Sequence, residues 1–183
     1  MAVSRSTNIA GRTYSLLVLT PIRPGEEDAL RAYLAALPRD DSPLARVPRT
    51  HMARLLIIDE MPAPPSRSDL ADPLDGPYLL FTCNFDGDLD SYLAGLCDLL
   101  APEAAEIWGR CIGCPDPPEG AALRAYLGRN QIQSGFAFAA YGNASVAQVR
   151  SALDKRERLA DFVVRAQDMT PAARRKAFLE EFG

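Results

Sequence analysis

The stretch YLLFTCNFDGDLDSYLAGL, residues 78–96, decides the fold that the sequence predicts. Its first half is rich in apolar and β-forming residues, which predicts a strand over residues 78–87. Asp88 then stands where a helix N-cap belongs, and the leucines that follow recur at helical spacing. A strand is therefore followed at once by an amphipathic helix, and Gly87 is expected to adopt a positive φ in the turn between them.

The two faces of this strand differ in polarity, because alternate side chains of a strand point to opposite faces of the sheet. One set is entirely apolar and consists of Leu79, Phe81, Cys83 and Phe85. The other set carries hydroxyls and an amide and consists of Tyr78, Leu80, Thr82 and Asn84. We expect the first set to face a layer of helices and the second set to face a semi-polar cavity.

The flanking segments extend the pattern to the order β-α-β-β-α-(α)-β-α-α. Strands are predicted over residues 13–22, 51–61, 78–87 and 132–141. Helices are predicted over residues 24–38, 88–100, 102–111, 121–129, 145–166 and 170–182. The segment 62–77 holds five prolines and is predicted to be a loop. The order indicates an α+β fold with a ferredoxin-like split β-α-β antiparallel sheet, an inserted helix and extra C-terminal helices.

Three regions are expected along the chain: a flexible N-terminus over residues 1–12, the ferredoxin-like domain over 13–168, and a C-terminal amphipathic helix over 169–183. The semi-polar face of the sheet needs a cover. We expect a second copy of the chain to supply it, which gives a homodimer with the sheets face to face and a pocket between them.

The composition excludes several classes of partner. The densest basic stretch is RRK at 174–176, and two glutamates follow it, so no nucleic-acid partner is expected. No apolar run reaches the roughly 18 residues that a membrane span needs, so no membrane partner is expected. The N-terminal residues lack the apolar core of a signal peptide, and we therefore expect a cytoplasmic protein with reduced thiols.

The cysteines and acidic residues do not indicate a metal site. Only Cys111 and Cys114 form a C-x-x-C pair, and the proline-rich loop that follows does not open a helix as a redox motif would. We expect the thiols to pack as small hydrophobic groups. An EF-hand counted from Asp86 would need a glutamate at its twelfth position, where Cys97 stands, so calcium is not expected.

His51, in the stretch PRTHMARLLIIDEM (48–61), is the only histidine of the chain. Its ordinary pKa lies near neutrality, which suits a general acid or base. It could also serve as an axial haem ligand. The third interpretation is a strand-end histidine that bonds to the backbone.

Three further side chains are candidates for the same site. Arg54 lies three residues after His51, so it should point to the opposite face unless a bulge intervenes. We expect it to pair with an internal acid, Asp59 or Asp86, or to bind an anionic substrate group. Asn84 and Asp86 end the strand that precedes Asp88. They either orient a substrate or His51, or hold the turn through bonds to the backbone.

Several stretches together resemble a family of uncharacterised bacterial proteins. They are YLLFTCNFDGDLDSYLAGL, IWGRCIGCP, RAYLGRNQI and FAAYGNASVAQVRSAL, together with PRTHMARLLIID, which is similar to the family's THFARWVVID strand. The family pattern has a strand ending in NFDG or NYDG and then IWGHC, and the likeness covers residues 14–155. The resemblance implies a dimeric α+β barrel, a superfold that also includes small monooxygenases, isomerases and haem proteins. It matches the family positions of His51, Asn84, Asp86, Gly87 and Trp108. Arg110 stands where relatives have histidine, which argues against a two-histidine site.

These features favour a small-molecule enzyme with a sheet-lined pocket for a small organic molecule. His51 would transfer protons, and Asn84 or Arg54 would polarise an oxygen. Cofactor-free oxygenation, isomerisation and cyclisation all fit these residues, and no cofactor is expected. A haem protein or peroxidase-like enzyme with His51 as axial ligand is the second interpretation, and a non-catalytic module that binds a ligand or partner is the third. Trp108 and Tyr141 are candidate pocket walls or plain core residues.

Overall fold

A computed structural model describes residues 7–61 and 72–183 of the chain. Close contacts divide the chain into two units, Met1–Ser145 and Val146–Gly183. Among the described residues, the first unit contains the sheet, four α-helices and the short 3-10 helices Pro43–Arg46 and Trp108–Arg110, and the second contains two α-helices. The mixed α+β class that the sequence predicts is confirmed.

The sheet of the first unit is antiparallel. Its strands are β1 (Ile9–Ala10), β2 (Thr13–Pro21), β3 (Thr50–Met61), β4 (Asp72–Asp86) and β5 (Gln131–Ile132). They follow the order β1-β2-β4-β3, and β5 also pairs with β2. The strand β4, which holds most of the stretch that opened the sequence argument, therefore lies between β2 and β3 and receives hydrogen bonds on both edges.

Four helices belong to the first unit: α1 (Glu27–Ala36), α2 (Leu89–Leu99), α3 (Ala101–Ile107) and α4 (Gly120–Arg129). The turn into α2 has the predicted chemistry. Gly87 has a φ of 97°, which glycine adopts without strain. Asp88 accepts a hydrogen bond from the backbone N–H of Ser91 at 2.8 Å, and this bond lowers the pKa of the Asp88 carboxyl below its ordinary value.

The hydrophobic core lies on one face of the sheet, against the helices. The apolar set of β4 is buried as predicted and consists of Leu79, Phe81, Cys83 and Phe85. Trp108 is fully buried and meets Phe81 edge to face, with their ring centroids 5.5 Å apart. The second set is only partly buried. The helices therefore cover the apolar face of β4 and leave the more polar face open.

The strand β4 begins earlier than the sequence predicts. Residues 72–77 belong to β4 instead of the predicted loop 62–77, whose remaining residues, 62–71, lie outside the described part of the chain. The pairing with β3 is irregular here: Ile58 lies opposite Tyr78, whereas Glu60 lies opposite Pro73. Pro77 lies in the interval between these two pairs, where the regular hydrogen bond that proline cannot make is not needed.

The predicted fourth strand over 132–141 is largely wrong, because β5 ends at Ile132. The chain then leaves the sheet: the backbone N–H of Ser134 donates to the side chain of buried Asn8 at 2.7 Å instead of to a strand. Phe136 and Phe138, predicted within the strand, are 83% and 78% exposed.

The second unit is a pair of helices, α5 (Val146–Arg165) and α6 (Pro171–Phe182). Thr170 caps α6 as predicted, since its hydroxyl oxygen accepts a hydrogen bond from the N–H of Ala173. The rings of Phe162, Phe178 and Phe182 cluster between the two helices. Close contacts group α5 with α6 in this second unit. Among the helices of the described residues, none is both long and apolar enough to cross a membrane.

Candidate functional site

A β-bulge places His51 outside the regular alternation of β3. Thr50 lies opposite Phe85, and Met52 lies opposite Asn84, the adjacent residue of β4. His51 is therefore an extra residue between two paired ones. Bulges re-aim side chains in this way, and they are frequent beside active sites.

The His51 imidazole contacts the Asp86 carboxylate. The distance between His51 Nε2 and Asp86 Oδ1 is 2.8 Å, a hydrogen bond of ordinary length. The Asp86 side chain is 8% exposed, and the His51 side chain is 23% exposed. The backbone N–H of Asp86 also donates to the carbonyl of Arg49 at 3.0 Å, and this bond fixes the backbone at the residue that carries the carboxylate. A nearly buried acid thus holds an imidazole that solvent and small molecules can reach.

Arg49 is a residue of this region that the sequence argument missed. Its φ is 72°, in the left-handed region that residues other than glycine rarely adopt. Its guanidinium lies over Gly87, since Nη1 would be 2.9 Å from a Cβ at that position. The sequence offered one signal, a basic residue two positions before the sole histidine, but its backbone conformation follows from the packing of the turn.

A hollow of about 610 Å³ opens on the face of the sheet away from the helices. Its polar side chains come from three strands and from the segment after β5. They are Ser15, Arg54, Thr82, Asn84, Gln133 and Ser134. The exposed Phe136 and Phe138 form part of its wall, and Leu17, Leu56 and Leu80 supply apolar surface. The partly polar set of β4 therefore lines an open hollow, as the alternation of the strand predicts.

Arg54 lies in this hollow without the acid partner that the sequence predicts. Asp59 pairs with Arg31 at 2.7 Å, and Asp86 contacts His51. Where side chains are described, over residues 7–60 and 74–183, no carboxylate forms a salt bridge with the Arg54 guanidinium. The Arg54 side chain is exposed on the open face, where solvent has access to its charge.

The four predicted site residues thus fall into two neighbouring groups. Arg54 and Asn84 line the hollow, whereas His51 and Asp86 lie at the end of the sheet beyond it. Asn84 and Asp86 are two residues apart on β4, which is about 7 Å along a strand. The imidazole pair and the mouth of the hollow are therefore close enough for one small molecule to reach both.

Three other candidates lie away from the pair. Trp108 belongs to the core, and Tyr141 is exposed. Arg110 bonds to the carboxylates of Glu26 and Glu106, each at 2.6 Å, and these bonds raise the pKa of its guanidinium. Arg110 therefore links helical segments, and it does not contribute to the His51–Asp86 pair.

The cysteines lie in the hydrophobic core or pack against it, and burial suppresses their acidity. Burial raises the pKa of Cys83 and Cys97 to about 12 and that of Cys114 to about 11, and it also raises the pKa of Cys111. The thiol of Cys111 lies 3.3 Å from the Thr20 hydroxyl, which donates to it. Over the described ranges there is no group of three or more histidine, cysteine, aspartate or glutamate side chains placed to hold a metal ion.

We expect slow alkylation of all four cysteines in the native protein at pH 8. A thiol with a pKa of about 11 has roughly a hundredfold less thiolate there than one with a pKa of 9, and the thiolate is the reactive form. Cys114 should react first, because it is the only one of the four that is not buried. Iodoacetamide labelling followed by peptide mass spectrometry measures the order, with the urea-unfolded protein as control. Rapid labelling of Cys83 or Cys97 in the folded protein would contradict the packing.

Comparison of the chain with protein-family models, with curated proteins and with solved structures gave no match. The residues of the bulge and of the hollow are therefore the features that indicate a function.

Proposed function

We propose that this protein is a small-molecule enzyme that uses His51 as a proton-transfer group. The observation that carries the proposal is the 2.8 Å contact between His51 Nε2 and the nearly buried Asp86 carboxylate. A base held in orientation by a third group is a recurring arrangement in enzymes that activate a nucleophile or remove a proton.

The contact assigns a role to each nitrogen of the ring. With Nε2 donating to Asp86, Nδ1 carries the lone pair that accepts a proton. Within the described residues no group forms a hydrogen bond to Nδ1. The Asp86 carboxylate would stabilise the imidazolium that forms, and it would keep the ring in one orientation. Isomerisation, cyclisation and cofactor-free oxygenation can each begin with such a proton removal.

The hollow supplies the binding surface in this proposal. Its volume of about 610 Å³ lies within the range of small-molecule sites. Arg54 donates hydrogen bonds, and Asn84 both donates and accepts them, so the two can orient a substrate oxygen. The leucines of the hollow would contact the carbon skeleton of an organic substrate.

Proton transfer and the haem interpretation differ in what Nδ1 binds. Nδ1 accepts a proton in the first and would bind iron in the second, since metal-ligating histidines commonly bond to a carboxylate through their other ring nitrogen. A Soret band in the visible spectrum of the purified protein would favour haem, and a colourless protein would favour proton transfer. The binding-module interpretation differs from both in predicting a ligand that the protein holds but does not convert.

The proposal is tested by a screen of small organic compounds for binding and for conversion. Wild-type protein, His51→Ala and Asp86→Asn are compared, and Met52→Ala serves as an exposed neighbouring control. We expect at least one compound that wild type and Met52→Ala convert and that His51→Ala binds but does not convert. A compound that wild type and His51→Ala convert at the same rate would contradict the role of His51.

We further propose the ferredoxin-like arrangement and the face-to-face homodimer. The strand order β5-β2-β4-β3 and the two helical connections support the first. The open hollow and the exposed Phe136 support the second, because exposed aromatic surface is typical of interfaces.

Static light scattering at micromolar concentration should report about twice the 19.9 kDa chain mass. Burial of the open sheet face is the physical reason for this expectation. Replacing Phe136 and Phe138 together by serine should shift the mass towards that of one chain. A wild-type protein with the mass of a single chain would contradict the dimer.

A further inference from the structure

We infer that the substrate of the proposed site is an organic anion and that Arg49 binds its anionic group. The inference rests on the proposed function, because it names the substrate class of the same site. Arg49 lies on the turn that leads into the bulge, and its guanidinium lies over Gly87. Gly87 is the neighbour of Asp86, so their Cα atoms are about 3.8 Å apart.

The backbone conformation of Arg49 is the first feature that supports the inference. A residue with a side chain is strained in the left-handed region and persists there only where its surroundings fix it. Here the Arg49 carbonyl accepts the N–H of Asp86 at 3.0 Å, and the Thr50 hydroxyl donates to the carbonyl of Val47 at 2.9 Å. Glycine or asparagine would fill this position with less strain, so the arginine side chain is the feature that needs an explanation.

The charge of Arg49 is the second feature that supports the inference. Its side chain is partly buried, yet no salt bridge joins it to a carboxylate among the described side chains, residues 7–60 and 74–183. Two acids flank Gly87 and already have hydrogen-bond partners: Asp86 contacts His51, and Asp88 caps α2, while the Arg49 charge also contributes to lowering the pKa of the Asp88 carboxyl. The guanidinium therefore keeps hydrogen-bond donors for another acceptor.

The third supporting feature is the chemical complementarity between a guanidinium and an anionic group. A guanidinium presents its donors in a planar fork that matches a carboxylate or a phosphate with two parallel hydrogen bonds. An anion on Arg49 would be held beside the residue next to Asp86 and therefore close to the imidazole. The proton that His51 removes would then come from a carbon or oxygen near the bound carboxylate or phosphate.

The test uses the single histidine as a reporter. Inorganic phosphate and, separately, acetate are titrated into the full-length protein while the His51 imidazole signals are followed by NMR at constant pH. We expect saturable shifts with at least one of the two anions, and the anion that binds more tightly identifies the acidic group of the substrate. Signals that stay unmoved by both anions would overturn the inference.

Variants of Arg49 separate binding from folding. Arg49→Gly suits the observed φ, so the fold should be retained while the dissociation constant of the anion rises about tenfold or more. Arg49→Lys keeps the charge but not the fork and should give an intermediate loss, and Arg39→Gln is the control at an exposed arginine elsewhere. Unchanged anion binding in Arg49→Gly would overturn the inference. Anion binding through Arg49 with conversion that does not need His51 would instead remove the proposed function alone.

Discussion

His51→Ala is expected to lower the rate of conversion by about 10²–10⁴-fold, the usual contribution of a general acid or base. The substitution removes the nitrogen that accepts the proton and leaves the residues of the hollow in place. It also leaves the nearly buried Asp86 without its imidazole partner, which should cost about 1–3 kcal/mol in the free energy of unfolding. Replacing a solvent-exposed histidine at a strand end would lower the free energy of unfolding by less. The measurements are turnover per folded molecule and urea unfolding.

Asp86→Asn is the matched variant for this prediction, because it keeps the shape of the side chain and removes its charge. We expect it to bind the substrate and to lose part of the rate, since the ring loses the carboxylate that stabilises the imidazolium. NMR of the neutral imidazole should find the proton on Nε2 in the wild type. A His51→Ala protein that melts earlier but keeps its full turnover would show a structural histidine, and attention would move to Arg54 and Asn84.

Phe81→Ala is expected to lower the free energy of unfolding by about 3–5 kcal/mol, the usual cost of removing a fully buried ring. The Phe81 ring fills the core between β4 and the helices and supports Trp108 edge to face. The cavity left by its removal would have no side chain to fill it, because protein cores are closely packed. Trp108 is the only tryptophan, so its fluorescence in urea reports the unfolding directly.

Phe136→Ala is the control for the core prediction. The same atoms are removed from a side chain that is 83% exposed, and the stability should change by no more than about 0.5 kcal/mol. Equal losses for Phe81→Ala and Phe136→Ala would contradict the assignment of the two faces. If the homodimer forms, the Phe136→Ala effect should grow with protein concentration, since the side chain would then be buried in the interface.

The layers of the fold could be predicted because they depend on periodicity. The alternation in YLLFTCNF identified which side chains of β4 face the helices, and the leucine spacing after Asp88 identified α2. The caps at Asp88 and Thr170 could also be predicted, since they depend on one side chain and a nearby N–H. Each of these features is local in sequence.

The failures have non-local causes. The alternating segment GFAFAAY has the composition of a strand, yet it leaves the sheet after Ile132 because Asn8 accepts the N–H of Ser134. The Asn8 side chain lies 126 residues away along the chain, so no local pattern indicates this bond. The early start of β4 depends in the same way on how Ile58 and Glu60 align with the opposite strand.

The sequence singled out His51 and Asp86 as candidates but could not predict their contact. The rarity of histidine indicated His51, and Asp86 was expected either to orient a substrate or that ring, or to hold the turn through bonds to the backbone. Their contact depends on one extra residue in β3, which shifts the pairing between Thr50 and Met52. The two acids that were expected to pair with Arg54 contact other residues: the register places Asp86 against His51, and Asp59 pairs with Arg31. The left-handed Arg49 has no signature in the composition of the strand.

The bulge also determines where β3 tolerates a change of length. Thr50 and Ala53 both face the helices, although three positions separate them, because His51 is the additional residue between them. A chain with residue 51 deleted would restore simple alternation and keep both neighbours on their present face. A deletion within residues 54–57 would instead turn part of the strand's core side chains to the open face. Insertion or deletion of residue 51 could therefore add or remove the imidazole during evolution while the pairing of the sheet stays the same.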